Sequence, residues 1–128
     1  MNATELEGSL DQFIGTEAYH KLSPLHGGLV VTDGVLFLAQ EGEAFWLIDA
    51  IASHQPEALK DPSLRDYQFW TLEVAANKSA VLTCERDKDD VAIRQEIPFT
   101  DFPMDKVRVW VQPLGDGRHW VAMLPSEH

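Results

Sequence analysis

The chain has 128 residues, 45% hydrophobic and 24% charged, and a formal net charge of −11. That length and mixture suit one globular domain with its own core, and they exclude wholesale disorder. The acidic excess argues against direct nucleic-acid binding, which needs clustered Lys and Arg. The single cysteine excludes an internal disulfide framework and a Cys-rich zinc site.

The charge is uneven. Residues 1–64 hold ten acidic residues against Lys21 and Lys60, a balance of −8; residues 65–128 hold eleven against eight, a balance of −3. Residues 1–10 carry Glu5 and Glu7 and no basic stretch, so they do not read as a signal peptide. Apolar runs such as 44–48 are too short to span a bilayer. The expectation is a cytoplasmic protein with no membrane contact and a reduced Cys84.

In chain order, residues 2–14 read as an amphipathic helix, with Leu6, Leu10, Phe13 and Ile14 on one face and Thr4 and Glu7 as a capping box. Ser23-Pro24 and Gly27-Gly28 break regular structure, and Leu29 to Thr32 fits a short extended piece. Asp33 is the expected N-cap of a helix over 34–40. Gly42 either kinks that helix or ends it before a second one over 43–54. The second contains Phe45-Trp46-Leu47-Ile48-Asp49-Ala50-Ile51-Ala52, apolar nearly all round and therefore expected to be buried on most sides. Residues 55–66 read as a loop or one irregular turn.

From Asp66 the period becomes two. Trp70, Leu72 and Val74 alternate with Phe69, Thr71 and Glu73; Ala80, Leu82 and Cys84 with Val81, Thr83 and Glu85. Val91, Ile93 and Ile97 form a third set, Val107, Val109 and Val111 a fourth, and residues 118–124 a less regular fifth. Turn residues separate them at 76–78, 87–90 and 113–117, and a link with two prolines covers 98–105. The expected fold is one α+β domain over 1–128: N-terminal helices, mainly within 1–64, packed on a C-terminal antiparallel sheet of about five strands in a meander.

No catalytic constellation is complete. His20, His26, His54 and Asp33 offer metal-ligand chemistry without the spacing of a ligand pair, so no metal or cofactor is expected. His26-Gly27-Gly28 lacks the serine elbow of an esterase. Cys84 lies beside Glu85 on the core face and reads as a small buried hydrophobe. Asp49 is the one charge within an apolar helix, a possible buried acid that calls for a partner. Asp101 and Asp105 flank Phe102-Pro103 and read as turn residues.

Two surfaces carry more information. The second sheet face would show Phe69, Arg94, Arg108 and Trp110, with Trp120, a composition typical of interfaces. The competing expectation is that the N-terminal helix packs there and buries them. The other surface is acidic: Glu5, Glu7, Asp11, Glu17, Glu41 and Glu43 are candidates for contact with a basic protein.

Several strings resemble an uncharacterised family of small proteins from bacteria, phages and other mobile elements. They are Thr32-Asp33-Gly34, the run from Phe45 to Ser53, Phe69-Trp70, Leu82-Thr83-Cys84, Thr100-Asp101-Phe102-Pro103 and the terminus Leu124-Pro125-Ser126-Glu127-His128. They occur in order across most of residues 13–128; the terminal His128 departs from the family's more frequent Tyr. The resemblance implies a complete small protein and a role in mobile-element biology, and it implies no activity. The leading expectation is a non-enzymatic protein-interaction module, such as an accessory or inhibitor acting on a basic host protein, with self-association open. The alternatives are a small hydrolase or metal-dependent enzyme, and a domain that binds a small ligand between helices and sheet.

Overall fold

The computed structural model describes residues 2–128. Five helices, α1 (Ala3–Leu10), α2 (Asp33–Glu41), α3 (Phe45–Ser53), α4 (Gln55–Ala58) and α5 (Pro62–Asp66), precede most of the sheet. Six strands form it: β1 (Leu29–Val31), β2 (Gln68–Val74), β3 (Ala80–Asp87), β4 (Asp90–Ile97), β5 (Lys106–Pro113) and β6 (Trp120–Met123). Single 3-10 turns stand at Pro24–His26 and Pro125–Glu127. The α+β class and the helix-then-strand order agree with the periodicity. The strand count is six rather than five, because the extended piece at Leu29–Val31 joins the sheet.

Spatial order is β1-β6-β5-β2-β3-β4, which is not a plain meander. Strands β2, β3 and β4 follow one another through tight turns, and β5 then returns to lie beside β2. This is a Greek-key arrangement. The returning link crosses the β2–β3 turn: the Thr100 N–H donates to the Lys78 carbonyl (2.9 Å) and the Val74 N–H to the Asp105 carbonyl (2.8 Å). Phe102 is buried in the core on the way. β1 runs parallel to β6, and every other pairing is antiparallel.

The alternation in the strands decides which face the helices cover. Trp70, Leu72, Leu82, Cys84, Val107, Val109 and Val111 meet Leu6, Leu38, Leu47, Ile48 and Ile51 in one core. Within it the side-chain amides of Gln55 and Gln68 exchange two hydrogen bonds of 2.9 Å each, and the Trp70 indole donates to Gln68 Oε1 (2.8 Å). Burying polar groups is costly unless they are paired; here each amide also donates to a helix carbonyl, of Ile51 and of Leu64.

Several local expectations need correction. α1 ends at Leu10, capped by Asn2 rather than Thr4, so Phe13 leaves the helix to pack on Phe37 and Ile14 points into solvent. Thr32, not Asp33, caps α2: its hydroxyl accepts from the Val35 N–H. Gly42 ends α2 and α3 begins separately at Phe45. α3 buries Leu47, Ile48 and Ile51 but exposes Phe45 and Asp49, so it lies on the sheet with one outer side wet. Residues 55–66 form α4 and α5, because Pro56 and Pro62 sit in first turns, where a missing N–H costs nothing.

The C-terminal segment closes the fold. The Glu127 carboxylate accepts from the Thr32 hydroxyl (2.6 Å), the Gly34 N–H (3.1 Å) and the Leu124 N–H (3.0 Å). An acidic group at a helix start satisfies unpaired N–H groups and opposes the positive end of the helix dipole. Gly34 permits this approach, since a Cβ there would stand 2.6 Å from Glu127 Oε1 and 2.7 Å from Leu124 Cδ1. Gly34→Ala should therefore lower stability by about 1–3 kcal/mol through overpacking, and Glu127→Ala by about 1–3 kcal/mol through lost hydrogen bonds. Urea unfolding checks both. The double variant should lose less than the two single losses combined, because both changes release the same segment.

Candidate functional site: the open sheet face

Among the described residues the helices cover one face of the sheet and none covers the other. The register lays out the open face in rows. Met123, Trp110, Phe69 and Glu85 form one row, Arg108, Thr71, Thr83 and Arg94 the next, and Lys106, Glu73, Val81 and Glu96 the third. Phe69, Arg94, Arg108 and Trp110 thus share one face, as the alternation predicts, and α1 does not bury them. α1 packs on the covered side through Leu6 and Leu10.

Trp120 does not belong to this group. Trp110 is opposite Met123 and Gln112 opposite Val121, so Val121 and Met123 point to the open face and Trp120 to the other. Trp120 packs against the main core. The irregular alternation of 118–124 hid this; strand pairing assigns the faces.

The aromatics on the open face form a cluster. The Phe69 and Trp110 rings meet edge to face at 5.4 Å, Tyr67 stacks on Phe69 at 6.1 Å, and His128 lies 5.4 Å from Trp110. Beside it Val30, Val121 and Met123 are buried beneath Trp110 and Leu114. Tyr67 stands one residue before β2, at the start of the alternating run that carries Phe69, but is not among the expected site residues; His128 lies outside the strands, where periodicity has no reach. The family-like terminus that ends in His128 was the nearest signal for that residue.

The charges on the open face alternate in sign across the rows, with Glu73, Glu85 and Glu96 among Arg94, Lys106 and Arg108. Lys106 lies 3.5 Å from Glu73 and Arg94 3.4 Å from Glu96, both in exposed pairs of small energetic weight. The acidic candidates Glu5, Glu7, Asp11, Glu17, Glu41 and Glu43 are all exposed. Among the described residues none of the six enters an ion pair. Glu7 and Asp11 face Lys106 and Arg108 across an open hollow of about 500 Å³, where the tail at Pro125 leaves the sheet.

Asp49 is not a buried acid. Its side chain is 66% exposed, and its partner is the buried one: His26 Nε2 lies 2.6 Å from Asp49 Oδ1 with the imidazole 5% exposed. Arg94 and Arg108 stand on the far face of the sheet. The pair ties the turn at Pro24–His26 to α3 and leaves His26 Nδ1 without a hydrogen-bond partner. The other candidates go elsewhere. His54 bonds Gln95 (2.7 Å) and stacks on Trp70, Asp101 faces Lys78, and His20 bonds Asp33 (2.8 Å). His26 and Asp49 thus meet, while His54 and Asp101 have separate partners. Among the described residues no three His, Cys, Asp or Glu side chains form a metal-binding group. Burial pushes the Cys84 thiol up to about 12, in keeping with a core residue.

Three carboxylates are held below their ordinary range. Asp33 is lowered chiefly by the His20 hydrogen bond and Asp61 by Arg86. Asp116 falls to about 2, chiefly through the Arg118 backbone N–H and then His119. A depressed carboxylate stabilises the fold above its unfolded value, near 3.8, and that contribution is lost as pH falls through the folded value. Urea midpoints should therefore drop between about pH 4 and pH 2, and Asp116→Asn should flatten part of that limb. An unchanged acid limb in the variant would remove Asp116 from the account.

Among the described residues no helix is long and apolar enough to cross a membrane. No curated protein and no solved structure matches the chain. The model of one family, described as a family of unknown function, matches residues 4–128, nearly the whole chain. By that match the chain belongs to the family of unknown function DUF6876.

Proposed function

We propose that this protein is a binding domain for another protein and that its contact surface is the open face of the sheet. The observation that carries the reading is the aromatic cluster of Tyr67, Phe69, Trp110 and His128 on a face that no helix covers. Aromatic side chains beside arginine supply large contact areas at low entropic cost, and interface energy concentrates in such groups. The fitting partner has an apolar centre for Phe69 and Trp110 and a rim of both charge signs for Arg108, Arg94, Glu73 and Glu85. A balanced face on a chain of net charge −11 also lets a partner approach there without meeting a strongly repulsive field.

A second reading rests on the six exposed acids that form no ion pair among the described residues. They suit a basic surface, as in an accessory or inhibitory protein from a mobile element that acts on a basic host protein. Salt and mutation separate the two readings. The tagged chain is incubated with lysate of the cells that encode it, at low and high salt. On the open-face reading, Tyr67→Ala with Arg108→Glu weakens capture about tenfold or more, while Glu5→Gln, Glu41→Gln and Glu43→Gln together leave it unchanged. The opposite pattern, with capture lost at high salt, assigns contact to the acidic side. Absence of any saturable partner at low salt overturns both.

A further inference from the structure

β4 is the last strand of the sheet, and its outer side pairs with nothing among the described residues. The opposite edge strand, β1, is capped by His20, which bridges to Val31. A long unpaired strand is a template for another strand, and proteins usually blunt such edges with bulges, prolines or charge. A bulge and a proline blunt β4 at its two ends only, and between them the edge carries one exposed charge of each sign, Arg94 and Glu96. Register shifts opposite Glu85 mark a bulge near Val91, and Pro98 follows Ile97. Between them lies a regular window of five residues, Ile93 to Ile97.

The ladder decides which backbone groups in that window point outward. In an antiparallel pair, bonded and non-bonded residue pairs alternate. The Ala75 N–H donates to the Ser79 carbonyl just beyond β2 and β3, so the bonded pairs between these strands continue at Glu73–Val81 and Thr71–Thr83. That leaves Ala80, Leu82 and Cys84 to bond β4, through Ile97, Gln95 and Ile93. Arg94 and Glu96 therefore turn their N–H and C=O groups away from the sheet.

We infer that this edge joins a second copy of the chain, β4 against β4 in antiparallel pairing, with the two-fold axis at Gln95. Outward groups must meet outward groups, so the axis falls on Arg94, Gln95 or Glu96. An axis at Arg94 sets arginine against arginine. An axis at Glu96 sets glutamate against glutamate and puts Arg94 opposite Pro98, which has no N–H. The axis at Gln95 sets Arg94 against Glu96 of the second copy, twice, on the open face. It also sets half-buried Ile93 against Ile97 on the covered face. Charge pattern, side-chain face and the limits of the window agree on this one register. Exposed Val91 (49%) and Phe99 (62%) stand just outside it, where the second copy shields them. The two six-stranded sheets become one, and both aromatic clusters stay free for the partner proposed above.

Light scattering after size exclusion should read twice the 14.4 kDa chain mass, falling to one chain on dilution. Arg94→Glu or Glu96→Arg sets like charges across the axis and should weaken the dimer about tenfold or more. The double exchange, Arg94→Glu with Glu96→Arg, should restore it. Both side chains are exposed, so circular dichroism should be unchanged. Gln95→Cys should form an intermolecular disulfide under mild oxidation, because opposed non-bonded residues lie close enough, about 4.5 Å between Cα atoms. Buried Cys84 stays out of it. A monomer at all accessible concentrations overturns the inference. So does a dimer that ignores the charge variants, or one that cross-links at position 94 or 96 in preference to 95.

Discussion

Everything at one end of the molecule depends on the Glu127 carboxylate at the head of α2. It joins two stretches that are far apart in the chain, Thr32–Gly34 at the head of α2 and Leu124–Glu127 in the tail, beside the junction of β1 with β6. A helix start has unpaired N–H groups, and a nearby anion answers them. Here the chain supplies its own anion. Leu124 is buried and Gly34 has no side chain, and the missing Cβ is what lets the tail approach this closely. Thr32-Asp33-Gly34 and Leu124-Pro125-Ser126-Glu127-His128 carried the family likeness as separate strings; in space they are two halves of one clasp.

The clasp also explains the open face. It carries His128 round to the Trp110 ring, so the last residue of the tail completes the aromatic cluster. The turn Lys78 and Thr100 share keeps the β4–β5 link at the sheet's end, away from that face. The helices stay on the other side because the buried Gln55–Gln68 pair, with Trp70 as third member, binds α4 and the start of β2 in a fixed orientation. A half-satisfied network of that kind would cost more than an apolar core; a complete one specifies a single arrangement.

What the sequence showed, it showed through periodicity. Two-residue alternation sorted Phe69, Arg94, Arg108 and Trp110 onto one face and Cys84, Leu82 and Trp70 onto the other, because a strand's geometry ties face to position. It failed at Trp120, where strand β6 is four residues long and its neighbours are apolar on both sides. It overstated α1, since Phe13 and Ile14 keep a helical spacing after the helix has ended. The Greek-key return of β5 was not legible, because linear spacing says nothing of strand order. Asp49 misled for a related reason: an apolar helix wall is broad, and its one charge marks the wet side. The partner of that charge, His26, lies 23 residues away in the chain, where only tertiary structure brings it close.

The parallel pairing of β1 with β6 has a consequence for the order of assembly. Leu29 lies opposite Trp120, so the two strands close a loop of about ninety residues. The β2–β3–β4 hairpins, by contrast, need only local turns and can form while the rest is still disordered. During synthesis the acidic first half therefore waits. Among the described residues its strand β1 has no strand partner until β6 (Trp120–Met123) has been made, and the apolar faces of α2 and α3 remain without a finished sheet to cover. The strong negative charge of that half then acts as a temporary solubiliser, keeping unfinished chains apart before any fold protects them.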